Sequence, residues 1–162
     1  MYDQTPLEIA IENGYYDLVR YLLEEKKVDI FEFDNNNYSY LDIAISNNNF
    51  EIARLLIQNH ANIQPSLLNA LKQKNIEGVK FLIKQGGDVN YKYNEDKMTL
   101  LMYASKYGFF KLVKFLVEEK KNLNLFLNIN AISIKNWTAL MYAIESENTD
   151  IANYLIENGC IY

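Results

Sequence analysis

The chain has 162 residues, of which 49% are hydrophobic, and its 16 Lys and Arg against 21 Asp and Glu give a net charge of −5. This charge argues against a general binder of the phosphate backbone, and no apolar run approaches the roughly 18–20 residues that a membrane span requires. With one cysteine and no basic or hydrophobic secretion signal, the sequence predicts an intracellular, cytoplasmic protein without nucleic-acid or membrane partners.

A short pattern recurs five times along the chain: a turn residue, then a Leu, then an Ala three positions after that Leu. In the first copy, Leu7, Ala10 and Ile11 have the spacing of a short amphipathic helix. Gly14 ends that helix, because a residue without a Cβ adopts the left-handed turn freely. The apolar residues within 18–23 then predict a second helix. The copies open at Thr5, Ser39, Pro65, Thr99 and Thr138.

The later copies differ in their turns and in the segments that join them. Asn48 stands where the first copy has Gly14, and Lys74 stands there in the third copy. A left-handed Lys costs roughly 1 kcal/mol, and Gly78 inside the following helix costs about as much. The sequence therefore predicts that the third copy is the least stable. The last connection, residues 122–136, is the longest and is rich in Leu and Ile.

Four motifs in these copies are specific enough to compare with a known family. They are Thr5-Pro6-Leu7 with Ala10, Asn13-Gly14, Tyr107-Gly108 and Gln85-Gly86-Gly87-Asp88-Val89-Asn90. Together they resemble the ankyrin repeat, in five copies that cover nearly the whole chain.

The resemblance implies an all-α fold, a solenoid of five helix-turn-helix repeats with short β-hairpin-like fingers. It also implies one domain over residues 1–162. Ankyrin repeats serve in protein–protein recognition, usually on the concave face that finger tips and first helices form, so we expect a protein-binding scaffold. The expected repeats lie at about 4–31, 38–63, 65–90, 98–124 and 137–162.

The His that the family carries after the motif Leu is missing from every copy. In the family this His helps to tie neighbouring repeats together by hydrogen bonds. Its absence calls that network into question here and leaves the position free for other uses. The residues at this position are Glu8, Asp42, Leu68, Met102 and Met141.

No side chains are spaced for catalysis, so we expect a protein that is not an enzyme and that holds no cofactor or metal. His60 lacks the partners that a base or a metal site needs, and its place indicates a residue at a helix end. Cys160 is interpreted as a small buried residue. Gly86-Gly87 belongs to the turn after a helix rather than to a phosphate-binding loop.

The resemblance also indicates a binding surface. In the ankyrin architecture, the residue just before each motif and the outward positions of each first helix line the groove. Met and aromatic residues concentrate at these positions in the fourth and fifth copies, and such side chains are common at interface hot spots. Alternatively, several of these aromatics simply pack the fingers against the helices. The predicted partner-binding residues are Tyr38, Met98, Met102, Tyr107, Trp137 and Met141.

The expected partner is an unidentified protein or peptide, bound by a monomer. Two other functions stay open. The chain could be a regulatory or targeting module of a longer effector or multidomain protein, because neither end shows the polar cap that repeat arrays need. Alternatively, the array self-associates through the apolar finger at residues 122–136.

Overall fold

The computed structural model describes residues 4–30, 38–122 and 126–161, and these residues form ten α-helices in five consecutive pairs. The helices are α1 Pro6–Glu12, α2 Tyr16–Glu24, α3 Tyr40–Ser46, α4 Phe50–Gln58, α5 Ile63–Lys72, α6 Ile76–Lys84, α7 Leu100–Lys106, α8 Phe110–Asn122, α9 Ala139–Glu145 and α10 Thr149–Glu157. We call the pairs repeats 1 to 5. The predicted all-α fold of five helix-turn-helix repeats is confirmed.

A hydroxyl or amide oxygen caps the first helix of each repeat. Thr5 accepts the backbone N–H of Glu8 at 3.1 Å, which satisfies a donor that the helix itself leaves unpaired. The third repeat departs from the expected opening at Pro65. Helix α5 begins two residues earlier, at Ile63, with Asn62 as its cap, because a proline lacks the N–H and fits within a first turn. The other caps are Ser39, Thr99 and Thr138.

A left-handed residue separates the two helices of every repeat. Gly14 lies at φ 72°, and the predicted left-handed conformations of Asn48 and Lys74 are confirmed at φ 56° and 60°. Glu147 lies at φ 58° in repeat 5. Because a Cβ is crowded in this conformation, Lys74 and Glu147 hold backbone strain that glycine would not.

An Asn amide joins neighbouring repeats at the same place three times. Each Asn stands just after the left-handed residue and donates to a carbonyl in the last turn of the preceding first helix. Repeat 4 has Phe109 at this position, which has no such donor. The bonds run from Asn49 Nδ2 to Ile11 O, from Asn75 Nδ2 to Ile45 O and from Asn148 Nδ2 to Ser105 O, each 2.8 Å long.

Hydroxyl groups also join neighbouring repeats, in place of the family's histidine network. Thr5 Oγ1 lies 3.0 Å from the Tyr40 hydroxyl, and Ser39 Oγ lies 3.4 Å from Ser66 Oγ. The position that the missing His leaves open is also in use, because Asp42 Oδ2 accepts the backbone N–H of Ser39 at 2.8 Å. This pairing closes a capping box, so the position serves the helix end.

The chain divides into two compact units, Met1–Gly87 and Asp88–Tyr162. In the first unit, α1 packs on α3, α3 on α5, and α2 on α4; in the second, α7 packs on α9 and α8 on α10. No described helix combines the length and the hydrophobicity needed to cross a bilayer. The motif leucines form the cores and are fully buried: Leu7, Leu41, Leu67, Leu101 and Leu140.

Two fingers of the second unit are joined by hydrogen bonds. In the first finger, Tyr93 and Met98 exchange backbone bonds of 2.9 and 3.2 Å across a tight turn. The second finger returns along the first, since Ile134 N–H donates to Asp96 O at 2.9 Å and Lys92 Nζ donates to the Ile132 carbonyl at 3.0 Å. Residues 31–37 and 123–125 of the predicted fingers lie outside the described residues.

Gly78 has a packing role in the third repeat that the sequence did not reveal. A Cβ placed on this residue would lie 2.6 Å from Ile45 Cγ2 of the second repeat, well inside van der Waals contact. The glycine therefore lets α6 approach the second repeat closely. This close packing compensates for the low helix propensity of glycine. The left-handed strain of Lys74 is shared by Glu147 of repeat 5 and does not by itself single out the third repeat, so its lowest stability stays a prediction.

We expect Asn148→Ala to lower the free energy of unfolding by about 1–2 kcal/mol, because it leaves the Ser105 carbonyl without its donor. Asn153→Ala on the exposed side of α10 is the control and should change stability by less than about 0.5 kcal/mol. Chemical denaturation followed by circular dichroism measures both, and equal effects of the two variants would contradict this role of the amide.

Two substitutions in the third repeat should change the stability of the protein in opposite directions. Lys74→Gly should raise stability by about 1 kcal/mol, because it removes left-handed strain. Gly78→Ala should lower stability, although alanine favours helices, because the added Cβ meets Ile45. Midpoints of thermal unfolding compare the two, and a stabilising Gly78→Ala would refute the packing role.

Candidate functional site

Aromatic rings form a continuous row in the second unit, from the first finger to the end of α7. The ring centroids of Tyr91 and Tyr93 are 5.0 Å apart, and Tyr93 lies 6.4 Å from Tyr103 on α7. Tyr107 stacks on Tyr103 at 6.1 Å, and Phe109 stacks on Tyr107 at 6.2 Å. This aromatic row ties the finger to the first helix.

A second group of side chains adjoins this row, and we call it the Trp137 cluster: Trp137, Tyr142, Lys106 and Tyr107. The rings of Trp137 and Tyr142 are 5.2 Å apart. The Lys106 ammonium lies 5.9 Å from the ring centroids of both Tyr142 and Tyr107, within the range of a cation–π interaction. The Tyr142 hydroxyl donates to Ser133 Oγ at 3.2 Å, which fixes its ring against the second finger.

The charge of Lys106 is held by aromatic faces alone. Among the described residues it forms no ion pair with a carboxylate, whereas Lys80 and Lys114 each have a Glu partner on their own helix. Its side chain is half-buried against the rings. The ammonium therefore lies near two rings with unused hydrogen-bonding capacity, which suits a negatively charged group from outside.

Burial raises the pKa of two tyrosines in the aromatic row. For Tyr93 the cause is burial first and the charge of Asp88 second; for Tyr103 it is burial, opposed by the hydrogen bond from the Asn94 side chain. Both hydroxyls are therefore neutral at physiological pH.

The structure separates the six predicted partner-binding residues. Tyr107 is 55% exposed and Met141 is 40% exposed. Trp137 is half-buried within the Trp137 cluster, and Tyr38 is half-buried in the other unit. Tyr107 and Trp137 belong to the Trp137 cluster, and Met141 lies on α9 of the same unit. Whether any of them contacts a partner stays a prediction.

The expectation that Met98 and Met102 face outward is wrong. They are 2% and 1% exposed. Met98 sits in the finger bridge opposite Tyr93, and the Met102 sulfur accepts the backbone N–H of Thr99 at 3.4 Å, so its side chain folds back over the helix start. Both residues belong to the core of the second unit.

Sequence reasoning missed the buried tyrosines Tyr103 and Tyr142 as supports of this surface. The signal was available, because both stand four positions after the capping Thr of their helices, Thr99 and Thr138. Lys106 was not among the predicted partner-binding residues. Its pairing with rings from two repeats depends on packing that spacing alone does not describe.

The remaining candidate groups have structural surroundings. His60 takes a left-handed conformation, φ 71°, just past α4, and its backbone N–H donates to Ile57 O at 3.0 Å. Cys160 is buried, and burial raises the pKa of its thiol, which disfavours the reactive thiolate. Within the described ranges, no three His, Cys, Asp or Glu side chains are grouped to hold a metal ion.

Apolar side chains in the second finger divide into buried and exposed ones. The exposed apolar side chains provide a surface for self-association, so self-association through residues 122–136 stays a prediction. The buried side chains are Leu127 and Ala131, and the exposed ones are Phe126, Ile132 and Ile134.

Comparisons with known proteins agree with this architecture. A family model described as "Ankyrin repeats (3 copies)" matches residues 2–66 and 67–162. A putative ankyrin repeat protein of fowlpox virus (strain NVSL) is 25% identical across 94% of this chain and 30% of its own length. Another, from Rickettsia bellii (strain RML369-C), is 26% identical across 93% of this chain and 48% of its own length. A third, from Acanthamoeba polyphaga mimivirus, is 32% identical across 80% of this chain and 76% of its own length.

A solved structure is also similar. A chain in the complex of a predatory endopeptidase with an immunity protein, from Bdellovibrio bacteriovorus, matches with a TM-score of 0.70 and 25% identity. The match covers 98% of this chain and 84% of that chain. The present chain thus spans 30% and 48% of the first two relatives but most of this structural neighbour.

Two methionines at the same repeat position should respond differently to truncation. Met102→Ala should lower the free energy of unfolding by about 2–4 kcal/mol, because it leaves a cavity in the core. Met141→Ala, at the exposed counterpart, should cost less than about 1 kcal/mol. Chemical denaturation of both variants tests the reassignment of Met102, and similar losses would contradict it.

Proposed function

Because this chain belongs to the ankyrin repeat family, whose repeats are protein–protein interaction modules, we propose that it is a non-enzymatic scaffold that binds a protein or peptide through the Trp137 cluster and Met141. The observation that carries this proposal is the Lys106 ammonium, which has no ion pair among the described residues and lies 5.9 Å from the ring centroids of both Tyr107 and Tyr142. It stands beside partly exposed apolar side chains, where charge and apolar contact can be recognised together.

The surface selects a partner segment by two kinds of contact. Lys106 offers a charge-assisted hydrogen bond to a carboxylate, and it is already partly removed from water by the rings. Trp137, Tyr107 and Met141 offer apolar area for a hydrophobic side chain next to that carboxylate. The proposed ligand is therefore a protein segment in which an acidic residue adjoins an aliphatic or aromatic one.

The aromatic row supports this binding surface mechanically. Tyr142 is hydrogen-bonded to Ser133, and Tyr103 to Asn94, so both buried tyrosines are anchored to fingers. A surface whose side chains are already held loses less conformational entropy when it binds. Trp and Tyr anchors of this kind account for much of the affinity at many interfaces.

A second function is favoured by the lengths of the relatives. The chain spans 30% of the fowlpox virus relative and 48% of the Rickettsia bellii relative. This supports a role as the regulatory or targeting module of a longer protein, in which the same surface selects the target. An intracellular, cytoplasmic location belongs to the proposal and is consistent with a single buried cysteine.

The binding test uses the purified chain as bait and then a synthetic peptide from the captured partner. Trp137→Ala combined with Met141→Ala should weaken binding by about 30-fold, which corresponds to about 2 kcal/mol. Phe126→Ala is the control, because this exposed aromatic of the same unit lies outside the Trp137 cluster. Isothermal titration calorimetry gives the affinities, with circular dichroism to verify the fold.

The charge is tested with Lys106→Met, which keeps the apolar stem and removes the ammonium. This variant should bind the peptide more weakly and with less dependence on salt. Replacing the peptide's acidic residue by its amide should remove the difference between Lys106→Met and the unchanged chain. If the Trp137 and Met141 changes leave affinity equal to that of the Phe126 control, the proposed surface is refuted.

A further inference from the structure

Ser133 is a buried residue at the tip of the second finger, where it is 5% exposed. Its backbone N–H donates to the Trp137 carbonyl at 3.0 Å, and its carbonyl accepts the backbone N–H of Asn136 at 3.1 Å. The next residue, Ile134, ties the same tip to Asp96 of the first finger. Both backbone groups of Ser133 are therefore used in a closed turn that leads directly into Trp137.

The side chain of Ser133 contacts two members of the Trp137 cluster at once. Its Oγ accepts the Trp137 backbone N–H at 3.3 Å and the Tyr142 hydroxyl at 3.2 Å. A serine hydroxyl has two acceptor lone pairs, so these two bonds use its capacity as an acceptor. One buried oxygen atom thus fixes the backbone of Trp137 and the outer end of Tyr142, whose rings are 5.2 Å apart.

The first finger has a related bond with the opposite direction. Asn94 and Ser133 each stand five residues before the Thr that caps the following helix. The Asn94 amide donates to the Tyr103 hydroxyl. In the second finger the tyrosine is the donor, since the Tyr142 hydroxyl donates to Ser133. The finger residue therefore determines whether the buried tyrosine donates or accepts.

The direction of this bond affects how a tyrosine ring attracts a cation. A hydroxyl that donates its hydrogen becomes richer in electron density, because hydrogen-bonded groups polarise one another. An electron-rich ring face attracts an ammonium more strongly. Lys106 lies 5.9 Å from the Tyr142 ring centroid, and among the described residues no ammonium lies over the Tyr103 ring. The bond to Ser133 thus both orients Tyr142 and favours its contact with Lys106.

We propose that Ser133 is the positioning residue of the Trp137 cluster and sets its preference for an acidic group. Its hydroxyl holds the Trp137 and Tyr142 rings in the arrangement that Lys106 contacts. Without this hydroxyl, Tyr142 is free to turn, and the ammonium loses one of the two rings beside it. The preference for an acidic group rests on the proposed function, whereas the positioning of the rings does not.

The positioning is tested by the fluorescence of Trp137, the single tryptophan of the chain. Ser133→Ala should increase quenching by acrylamide and shift the emission to longer wavelength, because the half-buried ring becomes more exposed to water. Tyr142→Phe removes one of the two bonds from the other side, keeps a ring in place and should act in the same direction. The double variant should equal Ser133→Ala, because the bond is already missing there.

The matched control is Tyr103→Phe, which removes the corresponding bond of the first finger. It should leave the quenching of Trp137 unchanged. Circular dichroism verifies folding, and Tyr142→Phe alone decides the outcome if Ser133→Ala loses helix content.

The preference is measured with the two peptides of the binding test, one with the acidic residue and one with its amide. Ser133→Ala and Tyr142→Phe should each lower the ratio of the two affinities by about fivefold, the equivalent of one hydrogen bond. Tyr103→Phe should keep the ratio, which separates positioning from a general loss of stability.

Unchanged quenching in both Ser133→Ala and Tyr142→Phe, or an equal increase in Tyr103→Phe, would overturn the positioning of the rings. Altered quenching with an unaltered affinity ratio would overturn the role in preference. If the Trp137 and Met141 changes also leave the affinity unaltered, the proposed function itself fails, and the altered quenching still supports the positioning role.

Discussion

The hydrogen bond from an Asn side chain of one repeat to a backbone carbonyl at the helix end of the preceding repeat is the interaction on which stacking within each unit depends. A first helix of seven residues, such as α1, α3 or α7, leaves most of its last carbonyls without partners inside the helix. Asn49, Asn75 and Asn148 each add a donor from the next repeat to one of these carbonyls. The Ile11 and Ile45 carbonyls also accept a backbone N–H from their own turns. Within each unit, the Asn side-chain bond therefore couples the stability of a repeat to that of the next repeat.

Much of the fold could be predicted from the sequence, since its determinants are local. Leu and Ala at helical spacing, Thr and Ser caps and tolerant turn residues repeat in register, and the structure confirms the five helix pairs. The start of α5 could not be predicted from the motif. Pro65 resembles Pro6 in sequence, but α5 begins at Ile63 with Asn62 as its cap. The role of Gly78 was hidden for a related reason, because it depends on a side chain of another repeat.

The candidate site shows the same division between local and non-local causes. Residue type and repeat position selected Tyr107, Trp137 and Met141, whose side chains are at least partly exposed. The same reasoning selected Met102, which has the repeat position of Met141 but is buried. Burial depends on what packs over a residue, and no spacing in the sequence reports that.

The close approach between Gly78 and Ile45 has a consequence for how this sequence can vary. The two positions share one small volume, and the present chain assigns nearly all of it to the isoleucine. A larger residue at position 78 is compatible with the same helix spacing only if position 45 becomes smaller. Substitutions at these two positions are therefore expected to covary in close relatives, while each change made singly is disfavoured.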